Sequence, residues 1–130
     1  MPAQKAVPNE RTGGFPRSSR LLKHAEFQAV YQQGKKSFTG NISAVYRARG
    51  DGALSGPRVG FTVSKALGGA VVRNRIRRRM RAAVQKHLGD LSRPLDIVLH
   101  PRKSVLDMDF ARLDAEIQQL FAAVEKGRGR

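Results

Sequence analysis

Six arginines occur within nine residues, from Arg73 to Arg81. Their guanidinium groups are planar, permanently charged and able to donate paired hydrogen bonds to a phosphate. On a helix, two like charges four residues apart repel each other and cost up to about 0.5 kcal/mol. Because no acidic residue lies between Asp51 and Asp90, the compensating negative charge must come from outside the helix. The residue types therefore predict binding to the phosphates of a nucleic acid.

A solvated helix face is the alternative interpretation of these arginines. Such a face normally mixes both signs of charge, with partners at i,i+4. Here nine basic residues and no acidic residue occur from Arg58 to Lys86. The whole chain has 25 Lys and Arg against 10 Asp and Glu, a formal charge of +15. We therefore favour nucleic acid over plain solvation, with an anionic membrane surface as the second candidate polyanion.

The chain lacks the residue groupings that would make it catalytic by itself. It has no cysteine, and its three histidines are too scattered to imply a zinc site. Helix capping explains Asp107 and Asp109 with fewer assumptions than metal binding. The glycines at 68 and 69 lack the spacing of a phosphate-binding loop, which favours a tight turn. Without a carboxylate, Ser/His/Asp or Cys/His set, we expect any chemistry to belong to a partner.

The apolar pattern predicts the elements that position the arginines. In 130 residues we expect one α+β domain in the order α-β-β-β-α-β-α, with helices packed on a small sheet. The predicted elements are a helix at Lys23–Gln33, two short strands on either side of Gly40 and Asn41, a strand at Arg58–Ser64, a helix at Ala70–Leu88, a strand at Leu95–His100 stopped by Pro101, and a final helix over Phe110–Val124. The last two strands can lie parallel, with the arginine helix as their crossover. Residues 1–19 are expected to form a flexible basic arm and residues 126–130 a frayed tail.

The arginine helix has one apolar stripe between two basic sides. At about 100° per residue, the stripe that must face the sheet contains Val72, Ile76, Met80, Ala83 and His87. Asn74, Arg77, Arg78 and Arg81 lie on one side of it, and Arg75, Arg79 and Lys86 on the other. A membrane-binding helix would need a wider apolar face. The longest apolar runs are far shorter than the ~20 residues of a membrane span, and the N-terminus does not have the pattern of a signal peptide. We therefore expect a soluble, cytoplasmic protein.

The run "FTVSK", a short glycine-containing connection and "AVVRNR", followed by Arg78 and Arg81, resemble the bacterial ribonuclease P protein subunit. The likeness extends in order from Arg20 to about Val124. It implies a left-handed strand-helix-strand crossover, against the usual right-handed rule. It further implies that a large catalytic RNA, with its magnesium ions, removes the 5′ leader of precursor tRNA, while this chain acts as its protein cofactor and has no obligate protein partner.

The resemblance also implies roles for individual residues. Those that would hold the RNA subunit are Lys65, Arg73, Asn74, Arg75, Arg77, Arg78 and Arg81. Phe27 and Tyr31, one turn apart on the first helix, would contact the single-stranded leader together with Arg20; their spacing alone is more typical of core residues. The sequence departs from the family pattern at Ala66, at Gly69 and in the "HPRK" run.

Two other function classes stay open at this stage. A structural RNA- or DNA-binding protein, such as a ribosomal component, would carry a similar charge without promoting cleavage. A free-standing nuclease would need a carboxylate or histidine cluster, which the sequence does not offer. Adding the chain to the catalytic RNA and precursor tRNA distinguishes these classes.

Overall fold

The computed structural model describes residues 19–21, 23–49 and 56–127. Within them, three helices pack on a four-stranded sheet of order β1-β2-β4-β3. The elements are α1 (His24–Gln33), β1 (Lys35–Phe38), β2 (Ile42–Ala48), β3 (Arg58–Phe61), α2 (Ala70–His87), β4 (Leu95–Pro101) and α3 (Phe110–Glu125). β1, β2 and β4 pair antiparallel, whereas β3 and β4 pair parallel. The predicted order and the parallel crossover through α2 are confirmed, and the left-handed sense of the crossover stays a prediction from the resemblance.

The two faces of the sheet are covered by different helices. Alternation along β2 points Ile42, Ala44 and Tyr46 into the main core, which α2 and α3 cover. On the opposite face Val98 of β4 packs with Leu21 and with α1. Five of the seven residues of β4 are therefore apolar, as expected for a strand that is covered on both faces.

The apolar stripe of α2 is confirmed as the side that packs inward. Ile76, Met80 and Ala83 are fully buried, and each large apolar side chain buried in this way stabilises the fold by about 1.5–3 kcal/mol. Val84 joins them, although the predicted stripe did not include it. His87, at the end of the stripe, is partly buried and lies within hydrogen-bond distance of Asp90 and Asp114. The stripe thus ends at a polar contact with α3.

Two strand boundaries differ from the prediction. β3 ends at Phe61 rather than Ser64, because the chain turns into a short 3-10 helix at Lys65–Leu67. This helix ends at Gly68, whose φ of 144° is reached easily only by glycine. β4 runs one residue further than predicted, since Pro101 pairs with Ile42 at the strand end, where a missing N–H is tolerated.

The predicted arm and tail fall mostly outside the described residues. Residues 1–18 and 128–130 are not among them. Of the predicted tail, Lys126 and Gly127 form a turn that is hydrogen-bonded to the end of α3.

Candidate nucleic-acid interface

The α2 surface consists of the predicted RNA-subunit residues, which lie on α2 and on the 3-10 helix that precedes it. Its members are Lys65, Arg73, Asn74, Arg75, Arg77, Arg78 and Arg81. Lys65, Asn74, Arg75, Arg78 and Arg81 are exposed, while Arg73 and Arg77 are partly buried. Arg73 Nε donates to the Gly68 carbonyl at 3.2 Å, and an Arg77 guanidinium nitrogen donates to Asn74 Oδ1 at 2.9 Å. These bonds orient two guanidinium groups without neutralising either.

The α2 surface has no internal counter-charge in the part of the chain that the structure describes. None of its arginines forms an ion pair with a described acidic residue. Burial and then the positive charges of Arg20 and Arg77 lower the pKa of Arg81. An anion placed there would relieve this repulsion, because phosphates favour the charged guanidinium.

Arg20 lies next to the α2 surface. It forms a parallel bridge with Val59, and Leu21 N–H donates to the Val59 carbonyl at 3.1 Å. Successive residues of an extended chain point to opposite faces, so Leu21 enters the α1 side and Arg20 the other. The resemblance groups Arg20 with Phe27 and Tyr31 at the leader, which stays a prediction. In the structure, its positive charge also acts on Arg81.

On the other side of α2, Arg79 and Lys86 contact the rest of the fold, whereas Arg75 is exposed and belongs to the α2 surface. Arg79 donates to the backbone carbonyls of Val105, at 2.9 Å, and Met108, and its guanidinium lies 6.0 Å from the centre of the Phe110 ring. Lys86 Nζ lies 3.7 Å from Asp114 Oδ1. One of the two predicted basic sides of α2 therefore contacts other parts of the protein, and Arg79 has a structural role.

Phe27 packs beneath α1. Its ring lies over Gly60, where a Cβ atom would come within 2.6 Å of the ring. It also packs with Leu21, Val30 and Val98, which leaves it only partly exposed. Glycine at position 60 is therefore required for α1 to approach the sheet this closely.

Tyr31 lines a groove of about 410 Å³ between the end of α1 and the sheet. We call it the Tyr31 groove, and its principal lining residues are Tyr31, Lys36, Phe38, Ser43, Val45 and His100. Tyr31 is 40% exposed and Phe38 68%. The Tyr31 hydroxyl lies 2.8 Å from Thr62 Oγ1 and 3.0 Å from His100 Nε2. The groove combines aromatic surface with polar atoms, as sites for unstacked RNA bases do.

Lys36, Phe38 and His100 are not among the site residues that the sequence predicts. Register brings them together: Phe38 is opposite Ser43, and Ser43 is opposite His100. The i,i+2 spacing of Lys36 and Phe38 indicates that they share a face. Only the pairing of β2 with β4, far apart in sequence, adds His100 to that face.

A buried ion-pair network anchors α1 to the sheet. Asp96 accepts two hydrogen bonds from Arg58 and one from Arg49, all at 2.8 Å. Arg58 also donates to Glu26 of α1 at 2.8 Å. The hydrogen bond with Asp96 is the main reason that the pKa of Arg58 is raised, even though burial opposes its charge. This network fixes the helix that carries Phe27 and Tyr31.

The groove and the α2 surface are close along the chain. Thr62, which contacts the Tyr31 hydroxyl, precedes Lys65 by three residues. Three extended residues span at most about 11 Å. The backbone at the edge of the groove therefore lies within about 11 Å of the backbone at Lys65.

The described residues give no site for a resident metal. They contain no group of three or more His, Cys, Asp or Glu residues placed to hold an ion. The resemblance assigns the magnesium ions to the catalytic RNA, and that assignment stays a prediction. In the same part of the chain, every helix is too short or too polar to cross a bilayer.

Comparison with known proteins decides the family. The model of the family described as Ribonuclease P matches residues 15–125. The chain belongs to the ribonuclease P protein family. This confirms the resemblance drawn from the "AVVRNR" run, and it places the chain in tRNA processing, as a protein component with an RNA partner.

Relatives and solved structures agree with this family. The ribonuclease P protein component of Finegoldia magna is 34% identical over 78% of this chain and 86% of its own length. That of Acidothermus cellulolyticus is 37% identical over 82% and 88%. The Staphylococcus aureus RNase P protein superposes with a TM-score of 0.70 at 25% identity, covering 82% of this chain and 95% of that one. The fold of the Thermotoga maritima RNase P protein is also similar, with a TM-score of 0.68 at 24% identity over 78% and 94%.

Proposed function

We propose that this chain is the protein subunit of a ribonuclease P that removes the 5′ leader from precursor tRNA. The α2 surface binds the catalytic RNA, and the Tyr31 groove binds the single-stranded leader. The observation that carries this proposal is the α2 surface itself, where five arginines have no acidic partner among the described residues. A nucleic-acid backbone supplies the missing charge, with release of its counterions.

The catalytic centre belongs to the RNA subunit in this proposal. Magnesium ions bound to that RNA would stabilise the charge that develops during phosphodiester hydrolysis. This chain supplies positive charge that reduces repulsion between neighbouring phosphates. We therefore expect the complex to work at lower magnesium concentration than the RNA alone. We also expect it to act in the cytoplasm without an obligate protein partner.

The Tyr31 groove makes the complex bind precursor tRNA more tightly than mature tRNA. Mature tRNA has lost the leader, so contacts in the groove form only with the precursor. Stacking of one base on an aromatic side chain contributes about 1–3 kcal/mol. The groove therefore raises affinity for the substrate and favours release of the product.

The main test replaces Arg77, Arg78 and Arg81 together by alanine. Leader cleavage by the reconstituted complex is measured at low magnesium. We expect cleavage to fall sharply and the log-log salt slope of RNA binding to become shallower by about 2, at roughly 0.7 for each lost phosphate contact.

The matched control is the Lys23→Ala, Lys35→Ala, Lys103→Ala variant, which removes the same number of charges at exposed positions outside the α2 surface. Equal activity of the arginine variant and this control would overturn the assigned role. If the wild-type chain binds RNA without stimulating cleavage, it is a structural RNA-binding protein instead.

A second test addresses the leader with Tyr31→Ala. We expect weaker binding of precursor tRNA by about 10-fold, corresponding to a stacking contact of roughly 1.4 kcal/mol, and unchanged binding of mature tRNA. Tyr31→Phe keeps the ring and serves as the control. Phe27→Ala is less informative because it also removes packing over Gly60. Equal losses for precursor and mature tRNA in Tyr31→Ala would contradict the leader role.

A further inference from the structure

His100 lies in the Tyr31 groove and has no role in the function proposed above. It follows Leu99 on β4, and its side chain turns to the α1 face, where it is partly buried. Its Nε2 atom lies 3.0 Å from the Tyr31 hydroxyl. The two ring centres are 5.6 Å apart, with an angle of 39° between the ring planes. A molecule that stacks on Tyr31 therefore also meets an imidazole.

The surroundings of His100 favour an anionic ligand. The titratable groups that share its groove are the Tyr31 phenol of α1 and the Lys36 ammonium of β1. The nearby hydroxyl groups belong to Ser43, opposite His100, and to Thr62, just after β3, and they do not titrate in this range. Among the residues that line the groove, none is acidic. An incoming phosphate thus meets Lys36 and His100 without repulsion from a carboxylate.

The proposal rests on the leader-binding function of the groove. We propose that His100 is a specificity-determining residue that binds a leader phosphate in the Tyr31 groove and takes up a proton as it does so. The Tyr31 hydroxyl suits both protonation states of His100, because a phenol both donates and accepts hydrogen bonds.

Linkage gives the direction of the pH effect. Burial lowers the pKa of His100 from its ordinary value of 6.5, so the free groove holds a neutral imidazole near pH 7. A bound phosphate stabilises the imidazolium and raises that pKa. The additional affinity is then present at low pH and disappears as pH rises through the pKa of the complex. Precursor binding should tighten on acidification, and mature tRNA binding should not.

The test measures the affinity of the reconstituted complex for precursor and for mature tRNA between pH 5.5 and 8, with calcium replacing magnesium to slow cleavage. The ratio of the two affinities removes effects of pH that the two RNAs share. For the wild-type chain we expect this ratio to rise at least about threefold from pH 8 to pH 6, within the limit of about tenfold per pH unit for one proton. His100→Gln, which keeps a polar group but does not titrate, should give a flat ratio.

Matched variants separate the possible outcomes. His24→Gln removes an exposed histidine at the start of α1 and should keep the wild-type pH dependence. If His100→Gln does not fold, His100→Leu replaces it. A pH-dependent ratio that persists in the His100 variant overturns the inference, as does a wild-type ratio that does not change with pH. Absence of any precursor preference at every pH instead rejects the leader-binding function.

Discussion

Two groups of arginines in this chain differ in whether a carboxylate lies next to them. Arg49 and Arg58 lie on either side of Asp96, each within 2.8 Å of a carboxylate oxygen, and the side chains of Arg49 and Asp96 are only 4% and 1% exposed. The arginines of the α2 surface face solvent or lie partly buried, without an ion-pair partner among the described acidic residues. The first group joins segments of the chain, and in the proposed function the second group binds RNA.

The difference shows that the positions of the carboxylates separate a structural arginine from a binding one. A buried guanidinium needs a partner inside the protein, because leaving it unpaired costs several kcal/mol. Exposed arginines on one helix cost only tenths of a kcal/mol per pair. A protein tolerates this small repulsion, and binding of a negatively charged partner then removes it.

The largest expected effect comes from breaking the buried group. Asp96→Asn removes the charge that neutralises Arg49 and Arg58, so we expect the free energy of unfolding to fall by about 3–5 kcal/mol. Urea denaturation measures this change. Asp107→Asn, at an exposed position, is the control and should stay within about 0.5 kcal/mol of wild type. If Asp96→Asn is as stable as the control, the pairs that Asp96 forms with Arg49 and Arg58 do not stabilise the fold.

A smaller effect distinguishes two neighbouring arginines on α2. Arg79→Ala loses hydrogen bonds to the carbonyls of Val105 and Met108, so we expect a loss of about 1–3 kcal/mol in unfolding free energy. Arg78→Ala should change stability by less than about 0.5 kcal/mol and should weaken binding to the RNA subunit, with a salt slope shallower by about 0.7–0.9.

Thermal or chemical denaturation measures the stability of both variants, and titration with the RNA subunit measures their binding. Because the two variants remove the same side chain at adjacent positions, net charge is identical. A larger stability loss in Arg78→Ala than in Arg79→Ala would reverse the division between a structural and a binding side of α2.

Local pattern was sufficient for most of the fold and for the α2 surface. The period of Ile76, Met80 and Ala83 gave the buried side of α2, and its arginines follow from the same period. The run without acidic residues is visible in the sequence itself, because it consists of consecutive residues. The family resemblance then gave those arginines a specific partner.

The Tyr31 groove and the ion-pair network were beyond local pattern. His100 and Lys36 come from strands separated by some sixty residues, and only the register of the sheet makes them neighbours. The leader contact of Arg20 stays a prediction, whereas its bridge to Val59 and its charge interaction with Arg81 are visible only in the structure. A charged residue in the apolar run of β4 was the one available indication of the Asp96 network.

The smallest expected effect is a response of stability to salt. Raising sodium chloride from about 0.01 M to 1 M shortens the Debye length from roughly 30 Å to 3 Å, which screens the like-charge pairs of α2 but scarcely affects the buried Asp96 pairs. Pairs at i,i+4, such as Arg73 with Arg77 and Arg77 with Arg81, each cost up to about 0.5 kcal/mol. We therefore expect the free energy of unfolding to rise by up to about 1 kcal/mol.

The charge-matched variants decide whether this rise belongs to α2 or to net charge. The Arg77, Arg78, Arg81 alanine variant and the Lys23, Lys35, Lys103 alanine variant lose equal charge, but only the first loses neighbouring pairs on one helix. Chloride is the anion of choice, because sulfate would bind the arginines as a phosphate does and stabilise the folded state by mass action. If α2 carries the repulsion, the arginine variant loses most of the salt response while the lysine variant keeps it. Equal responses would mean that the repulsion is spread over the whole positive chain, and the unpaired arginines of α2 would then carry no special electrostatic cost for an RNA to relieve.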